Sequence, residues 1–217
     1  MSRGGAIVAA LGVAAIVFTG CARPDEGHGR TCAGNPGRDL SGRAVAGSEL
    51  NQRTLRCVNL ERVNMTGEEV SQANLGHANL YRARMRHMVL SYVDLAGADL
   101  READLGSVSV RGTDLGGADL SGATVGGGVF KDVNFARARL TGVVLRSAFL
   151  ARTDFAGADL SGADLTGASL IDSNLRGARL DGAELAETVW SDVVCPDGVK
   201  SISQEPESCA GHLVPPA

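Results

Sequence analysis

Residues 155–170 read FAGADLSGADLTGASL, in which the short phrase Ala-Asp-Leu-x-Gly recurs every five residues. Stepping outward by fives from Leu160, the register holds without a slip from Leu40 to Trp190. Its 31 positions carry 21 Leu, four Val, two Met, three Phe and one Trp, and none is polar. Two residues before each of these centres, from Ala73 to Thr188, stands Ala, Val, Thr, Ser or Gly, with Met88 the one large exception. A helix would space its apolar residues by 3.6 and a strand by two, so neither explains a period of five. A chain that turns a corner every five residues does. Each short extended step sends its centre and the small residue two before it inward, and a turn follows. Gly occurs 14 times two residues after a centre, where a turn with positive φ favours it. Four corners close a square, so one coil takes about 20 residues.

The pattern Ala-(Asp/Asn)-Leu-x-x resembles the pentapeptide-repeat family over Leu40–Trp190. The resemblance implies an all-β fold, a right-handed quadrilateral β-helix of seven to eight coils with irregular capped ends, roughly 36 Å long at ~4.8 Å per stacked strand. One coil cannot bury its own apolar face, so such a rod must be long and its ends protected. The tail from Thr188 to Leu213 looks like the Cys-containing ending of some exported family members, and Trp190 is expected as a lid on the last coil. Arg38, Arg43, Arg53 and Glu68 stand where small inward residues belong, which predicts an irregular start with regular coils only from about Ala73. Gly126–Gly128 lacks an inward Ala and is expected to be a weak place.

The N-terminus carries an address. Arg3 is followed by the apolar run Ala6–Phe18 and then Thr19-Gly20-Cys21, a positive region, a short apolar core and small residues at a cleavage site. Phe18-Thr19-Gly20-Cys21 resembles the bacterial lipobox, which implies lipid on Cys21. Gly4–Ala22 is also 19 uncharged residues, close to the ~20 that span a bilayer as an uncleaved anchor. Either way the body is expected outside the cytoplasm, lipid-anchored to the membrane in the lipoprotein reading. The chain then divides into residues 1–21, a signal peptide with lipobox; 22–37, a linker or N-terminal cap; 38–190, the β-helix; and 191–217, a C-terminal cap or tail.

Five cysteines less Cys21 leave Cys32, Cys57, Cys195 and Cys209, which allow three pairings. The economical one is Cys32–Cys57 and Cys195–Cys209, a staple at each end, in an oxidising compartment. All six prolines lie outside residues 37–195, as an uninterrupted hydrogen-bond ladder requires.

Charge and spacing bear on function. Lys and Arg number 21 against 25 Asp and Glu, so no strong field toward nucleic acid is expected. Some family members mimic duplex DNA and act on gyrase, which implies a strongly acidic rod. Residues 38–192 carry 17 basic against 20 acidic side chains, whereas a duplex has about one charge per 1.7 Å. His77 and His87 stand ten residues apart and so point from opposite faces, and no metal-ligand spacing, phosphate loop or nucleophile–base pair is present. No catalytic residue, metal or cofactor is expected. The outward columns Asp94, Asp114, Asn134, Asp154, Asn174 and Asn79, Asp99, Asp119 read as turn-stabilising ladders. One face differs: its outward column runs Val89, Ser109, Val129, Phe149, Ser169, Val189, with Ile171 beside it and Arg111 and Lys131 adding charge. Val89, Val129, Phe149, Ile171 and Val189 are the candidate contact surface for a protein partner or a second copy. Arg82, Arg84, Arg86 and His87 form a basic cluster, read as a solvated patch or a contact for anionic lipid or polymer.

Overall fold

The structure, a computed structural model, describes residues 37–201 and residue 209. The chain winds as a four-sided parallel β-helix in which each residue lies beside the one 20 positions further on. One face carries seven three-residue strands, β1 (Glu69–Ser71), β2 (Val89–Ser91), β3 (Ser109–Arg111), β4 (Val129–Lys131), β5 (Phe149–Ala151), β6 (Ser169–Ile171) and β7 (Val189–Ser191). They form one parallel sheet in chain order. The other three faces stack through single bridges such as Asn74↔Asp94, Asp99↔Asp119 and Asp104↔Thr124. Every centre from Leu60 to Leu180 is buried, and the small residues two before them are buried with them. Phe130, Phe135 and Phe155 fill the middle of the rod, the last two stacked at 4.9 Å between centroids.

The corner residue two after each centre has positive φ from Gly42 to Asp192, with Gly47 the single exception. At three of the four corners the turn closes by a hydrogen bond from the inward residue to the preceding centre, as where Ala158 N–H donates to the Phe155 carbonyl at 2.9 Å. Positive φ at the third residue is the type II requirement. Glycine meets it freely, but His77, Arg82 and Arg137 meet it too. Stacking against neighbouring coils therefore imposes a conformation that costs an isolated L-residue about 1–2 kcal/mol.

Two expectations need correction. The coils do not wait for Ala73: inter-coil bridges begin at Asp39↔Asn59. Backbone ladders are indifferent to the side chains they carry, so Arg38, Arg43 and Arg53 simply sit exposed. The one irregular step is a 3-10 turn at Gly47–Glu49, which covers the open edge of β1. Gly47 N–H donates to Glu68 Oε2 at 2.8 Å; on the strand itself Ser71 N–H donates to Asn51 Oδ1 at 2.8 Å, and the Ser71 carbonyl accepts from Gln52 N–H at 3.0 Å. Gly128 is likewise no defect. A Cβ there would lie 2.8 Å from Phe130 Cε2, so the missing methyl is the space the ring uses.

At the far end Trp190 is half-buried on the last strand, in register with Leu170. The chain then reverses. Val194 bridges Lys200 antiparallel, Cys195 N–H donates to the Val199 carbonyl at 2.7 Å, and Cys195 is joined to Cys209 with Cα atoms 5.5 Å apart. The expected C-terminal staple is present. Cys57 is also disulfide-bonded, with its partner outside the described residues. Cys21 and Cys32, and with them the lipid site and the Cys32–Cys57 pairing, lie outside the described residues.

Candidate interaction face

The sheet face owes its width to an open corner. After each strand the chain bends without the closing turn bond found elsewhere, and extended backbone continues for three residues instead of one. The inward N–H at that corner lacks the turn acceptor, and on three of the seven coils a buried hydroxyl supplies one. Val93 N–H donates to Thr113 Oγ1 at 3.4 Å, Thr153 N–H to Ser173 Oγ at 3.2 Å, and Val193 N–H to Ser201 Oγ at 3.0 Å. Thr113, Thr153, Ser173 and Ser201 are the buried polar residues among those described, and all stack beneath this corner. Sequence reading sorted Thr113, Thr153 and Ser173 only as small inward residues, and left Ser201 in the C-terminal tail. The signal that finds them is their spacing, since Thr113, Thr153 and Ser173 fall at multiples of 20 from one another.

Outside the sheet, the register places the expected surface residues together. Val89, Val129, Phe149 and Val189 share one straight column, and Ile171 stands in the column on the other side of the centres, with Arg111, Lys131 and Ala151. Val189 is 53% exposed and Val89 37%, while Val129, Phe149 and Ile171 are half-buried by one another's neighbours. Lys131 Nζ lies 5.9 Å from the Phe149 ring centroid. Ala151, an outward residue in register with Lys131 and Ile171, is only 5% exposed. Along the adjoining corner Tyr92, 58% exposed, lies over Gly112, where a Cβ would come within 2.5 Å of the ring. Arg152 Nε and Nη2 donate to the two oxygens of Asp132 at 2.6 and 2.9 Å. That hydrogen-bonded pairing holds the Asp132 carboxyl below its ordinary value and raises Arg152.

The remaining surface is built differently. On the next face Asp114 Oδ1 accepts both the Gly116 N–H and the Asn134 amide at 2.8 Å, and Asp154 is bonded likewise to Ala156 and Asn174. These are the Asx turns expected of the Asp/Asn columns. The basic cluster is substantially neutralised by the following coil: Arg82 pairs with Glu102 at 2.7 Å and Arg86 with Asp104 at 3.4 Å, whereas Arg84 and His87 are exposed. Pairing across 18 to 20 residues is invisible to local charge counting. His77 packs over Gly97, away from His87. Among the described residues no group of three or more His, Cys, Asp or Glu is placed to hold a metal ion, and no helix is long and apolar enough to cross a membrane.

A square parallel β-helix whose interior is filled by its own side chains is a repeat solenoid, each coil contacting only its neighbours. The family model for pentapeptide repeats matches in eight copies, over residues 71–106, 113–150, 134–170 and 148–186, just over half of the chain, and the chain belongs to that family. Among solved structures it is similar to HetL, a pentapeptide repeat protein involved in heterocyst differentiation regulation from the cyanobacterium Nostoc sp. strain PCC 7120. The identity is 24% over 78% of this chain and 95% of that one, with a TM-score of 0.61, a likeness of fold. QnrB1, a plasmid-mediated fluoroquinolone resistance protein, aligns at 17% identity over 70% of this chain and 91% of its own, with a TM-score of 0.41. A pentapeptide repeat protein of the Arabidopsis thaliana thylakoid lumen aligns at 30% identity over 51% of this chain and 67% of that one, with a TM-score of 0.27. No curated protein matches the chain.

Proposed function

We propose that this protein is a non-catalytic cell-envelope lipoprotein, a rod tethered through Cys21 that presents its sheet face to other macromolecules. The observation that carries the reading is the contrast in the surface. The face centred on Leu75–Leu175 satisfies its outward Asp and Asn side chains through turns and ladders, and the sheet face carries Val89, Phe149, Ile171 and Val189 outward on three-residue strands. Apolar side chains standing outward at intervals along one face, with Val89 and Val189 exposed, are what supports reading that face as an interaction surface. The interior offers no competing site, because Leu and Phe centres occupy it from coil to coil. The address rests on the sequence Phe18-Thr19-Gly20-Cys21 after its apolar run. A single acyl chain binds membranes only marginally, so a lasting tether needs more than one.

The test is the intact mass of the protein from its native envelope fraction, beside a Cys21→Ala control. A mature chain beginning at Cys21 with a diacyl or triacyl increment, absent from the control, is the expected result. An unprocessed chain in the cytoplasmic fraction refutes the tether.

A further inference from the structure

We propose that the N-terminal end of the rod is a docking surface for an anionic lipid bilayer, on which the rod stands with its opposite end turned away. The observation is a set of inward positions that are not inside. Arg38, Arg43, Ser48 and Arg53 stand two residues before the centres Leu40, Val45, Leu50 and Leu55, one for each side of the first described coil. Twenty residues past the three arginines, the same phase holds Val58, Val63 and Ala73, all buried. Arg38, Arg43, Ser48 and Arg53 are all exposed. A side chain of inward phase reaches solvent where no coil lies beneath it, so these four rim the end of the rod. Arg38 shows the direction: its guanidinium lies 4.0 Å from the Glu49 carboxylate, half a coil further round and so across the end. Arg43 and Arg53 are engaged by no carboxylate among the described residues.

Charge is polarised along the axis as well. Residues 37–56 carry four arginines against Asp39 and Glu49. The Asp39 carboxylate accepts from Ser41 N–H at 3.0 Å and from the Asn59 amide of the next coil at 3.1 Å, which turns it to the side of the rod. Residues 181–200, an equal length at the other end, carry Asp181, Glu184, Glu187, Asp192 and Asp197 against Lys200 alone. An anionic plane therefore attracts one end and repels the other.

A bilayer suits this arrangement better than a small anion does. Arginine forks match phosphate oxygens, and three arginines set on separate sides of the coil are met together by many headgroups in one plane. The chain also enters the rod at this end, and Gly37 stands sixteen residues after Cys21. That linker reaches about 55 Å when extended, so a tether alone does not seat the rod. Its Arg23 and Arg30 balance Asp25 and Glu26, leaving the charge of the end uncancelled. Each arginine near an anionic surface is worth about fivefold in partitioning. Three make a modest contact for a free protein and an orienting one for a tethered chain. That orientation rests on the proposed tether; the docking surface does not.

The experiment uses full-length Cys21→Ala protein, which cannot be lipidated, with vesicles of equimolar phosphatidylglycerol and phosphatidylcholine and with vesicles of phosphatidylcholine alone. The apolar leader contributes to both, so the reading is the ratio of the two partition coefficients. The ratio is expected to favour the anionic vesicles, to shrink as salt is added, and to fall at least about tenfold in an Arg38→Gln, Arg43→Gln, Arg53→Gln triple variant. Removing the same charge from exposed arginines elsewhere, in Arg137→Gln, Arg139→Gln, Arg176→Gln, should leave it within about twofold. Ser48→Arg, which completes the fourth side, should raise it about fivefold. Equal losses from the two triple variants, no preference for anionic vesicles, or capture by soluble polyphosphate without such a preference each overturn the proposal. Because lipidation is read by mass on the wild-type chain and docking on a chain that cannot be lipidated, the two ideas fail separately.

Discussion

The face centred on Val70–Trp190 and the next one, centred on Leu75–Leu175, come from the same five-residue phrase and end up with opposite characters. The second closes each corner with a turn bond and roofs it with an Asp or Asn whose side chain is spent on neighbouring N–H groups. The first leaves its corner open, lengthens the strand, and on three coils gives the inward N–H an acceptor from inside, Thr113, Ser173 or Ser201. The outer columns of this face carry no Asp or Asn ladder and hold Ser, Val, Phe, Ile, Ala, Lys, Arg and Glu instead. The difference teaches that on this scaffold a candidate binding face is made by changing how a corner is hydrogen-bonded, before any surface residue is chosen.

Four experiments press on that contrast. The interior is common to both faces, so truncating it should cost alike whichever side it belongs to. Phe130→Ala beneath the sheet and Phe135→Ala beneath the Asx ladder are each expected to lose about 3–5 kcal/mol in denaturant unfolding. A large loss in only one would show that the two sides are not equally packed. The corners should respond in opposite senses. Ser173→Ala removes the acceptor of the Thr153 N–H and costs about 1–3 kcal/mol. Ala158→Ser, at a closed corner whose N–H is already bonded to the Phe155 carbonyl, buries a hydroxyl to no purpose and costs a similar amount. A stabilised Ala158→Ser variant would falsify the distinction between open and closed corners.

Smaller effects belong to the outer columns. Asp114→Ala removes the acceptor of the Gly116 N–H and the Asn134 amide and is expected to cost about 0.5–1.5 kcal/mol, whereas Ser109→Ala on the sheet face should stay within about 0.5 kcal/mol. Acid titration gives the smallest signal. The Ser41 backbone N–H holds the Asp39 carboxyl below its ordinary value, and the Thr166 side chain, with its N–H, does the same for Asp164. Groups whose pKa is lowered by folding contribute stability that is full above the ordinary carboxylate range and is lost as pH falls through the lowered values. Melting temperature should therefore be flat near neutrality and fall below the ordinary carboxylate range, with a shallower acid limb in an Asp39→Asn, Asp164→Asn double variant. An unchanged limb would assign the acid sensitivity elsewhere.

Much of this was legible in the sequence because the repeat has no gaps. Which residues turn inward, which columns stack and where Val89, Val129, Phe149 and Val189 align all follow from counting in fives and twenties. What counting missed has physical causes. The Gly126–Gly128 run looked defective because a missing inward methyl is visible in a sequence, whereas the Phe130 ring that occupies its place is not. Arg38, Arg43 and Arg53 suggested a frayed start because inward identity was read as a requirement for pairing, yet the ladder from Asp39 is made by backbone. The basic cluster looked bare because Glu102 and Asp104 are a full coil away. The open corner left one signal, the 20-residue spacing of Thr113, Thr153 and Ser173, which reading inward residues by size alone passes over.

The unstaggered 20-residue register has a consequence for how such a chain tolerates length changes. Burial depends on position modulo five, and the surface depends on position modulo twenty. Deleting five residues would keep every downstream centre inside while rotating the remaining rod by a quarter turn, so that each column hands its contents to the next face. Deleting twenty would leave core and faces aligned and shorten the rod by one storey. Inserted or lost repeats thus separate two properties that most folds change together: the ability to fold, which survives any whole repeat, and surface identity, which survives only whole coils.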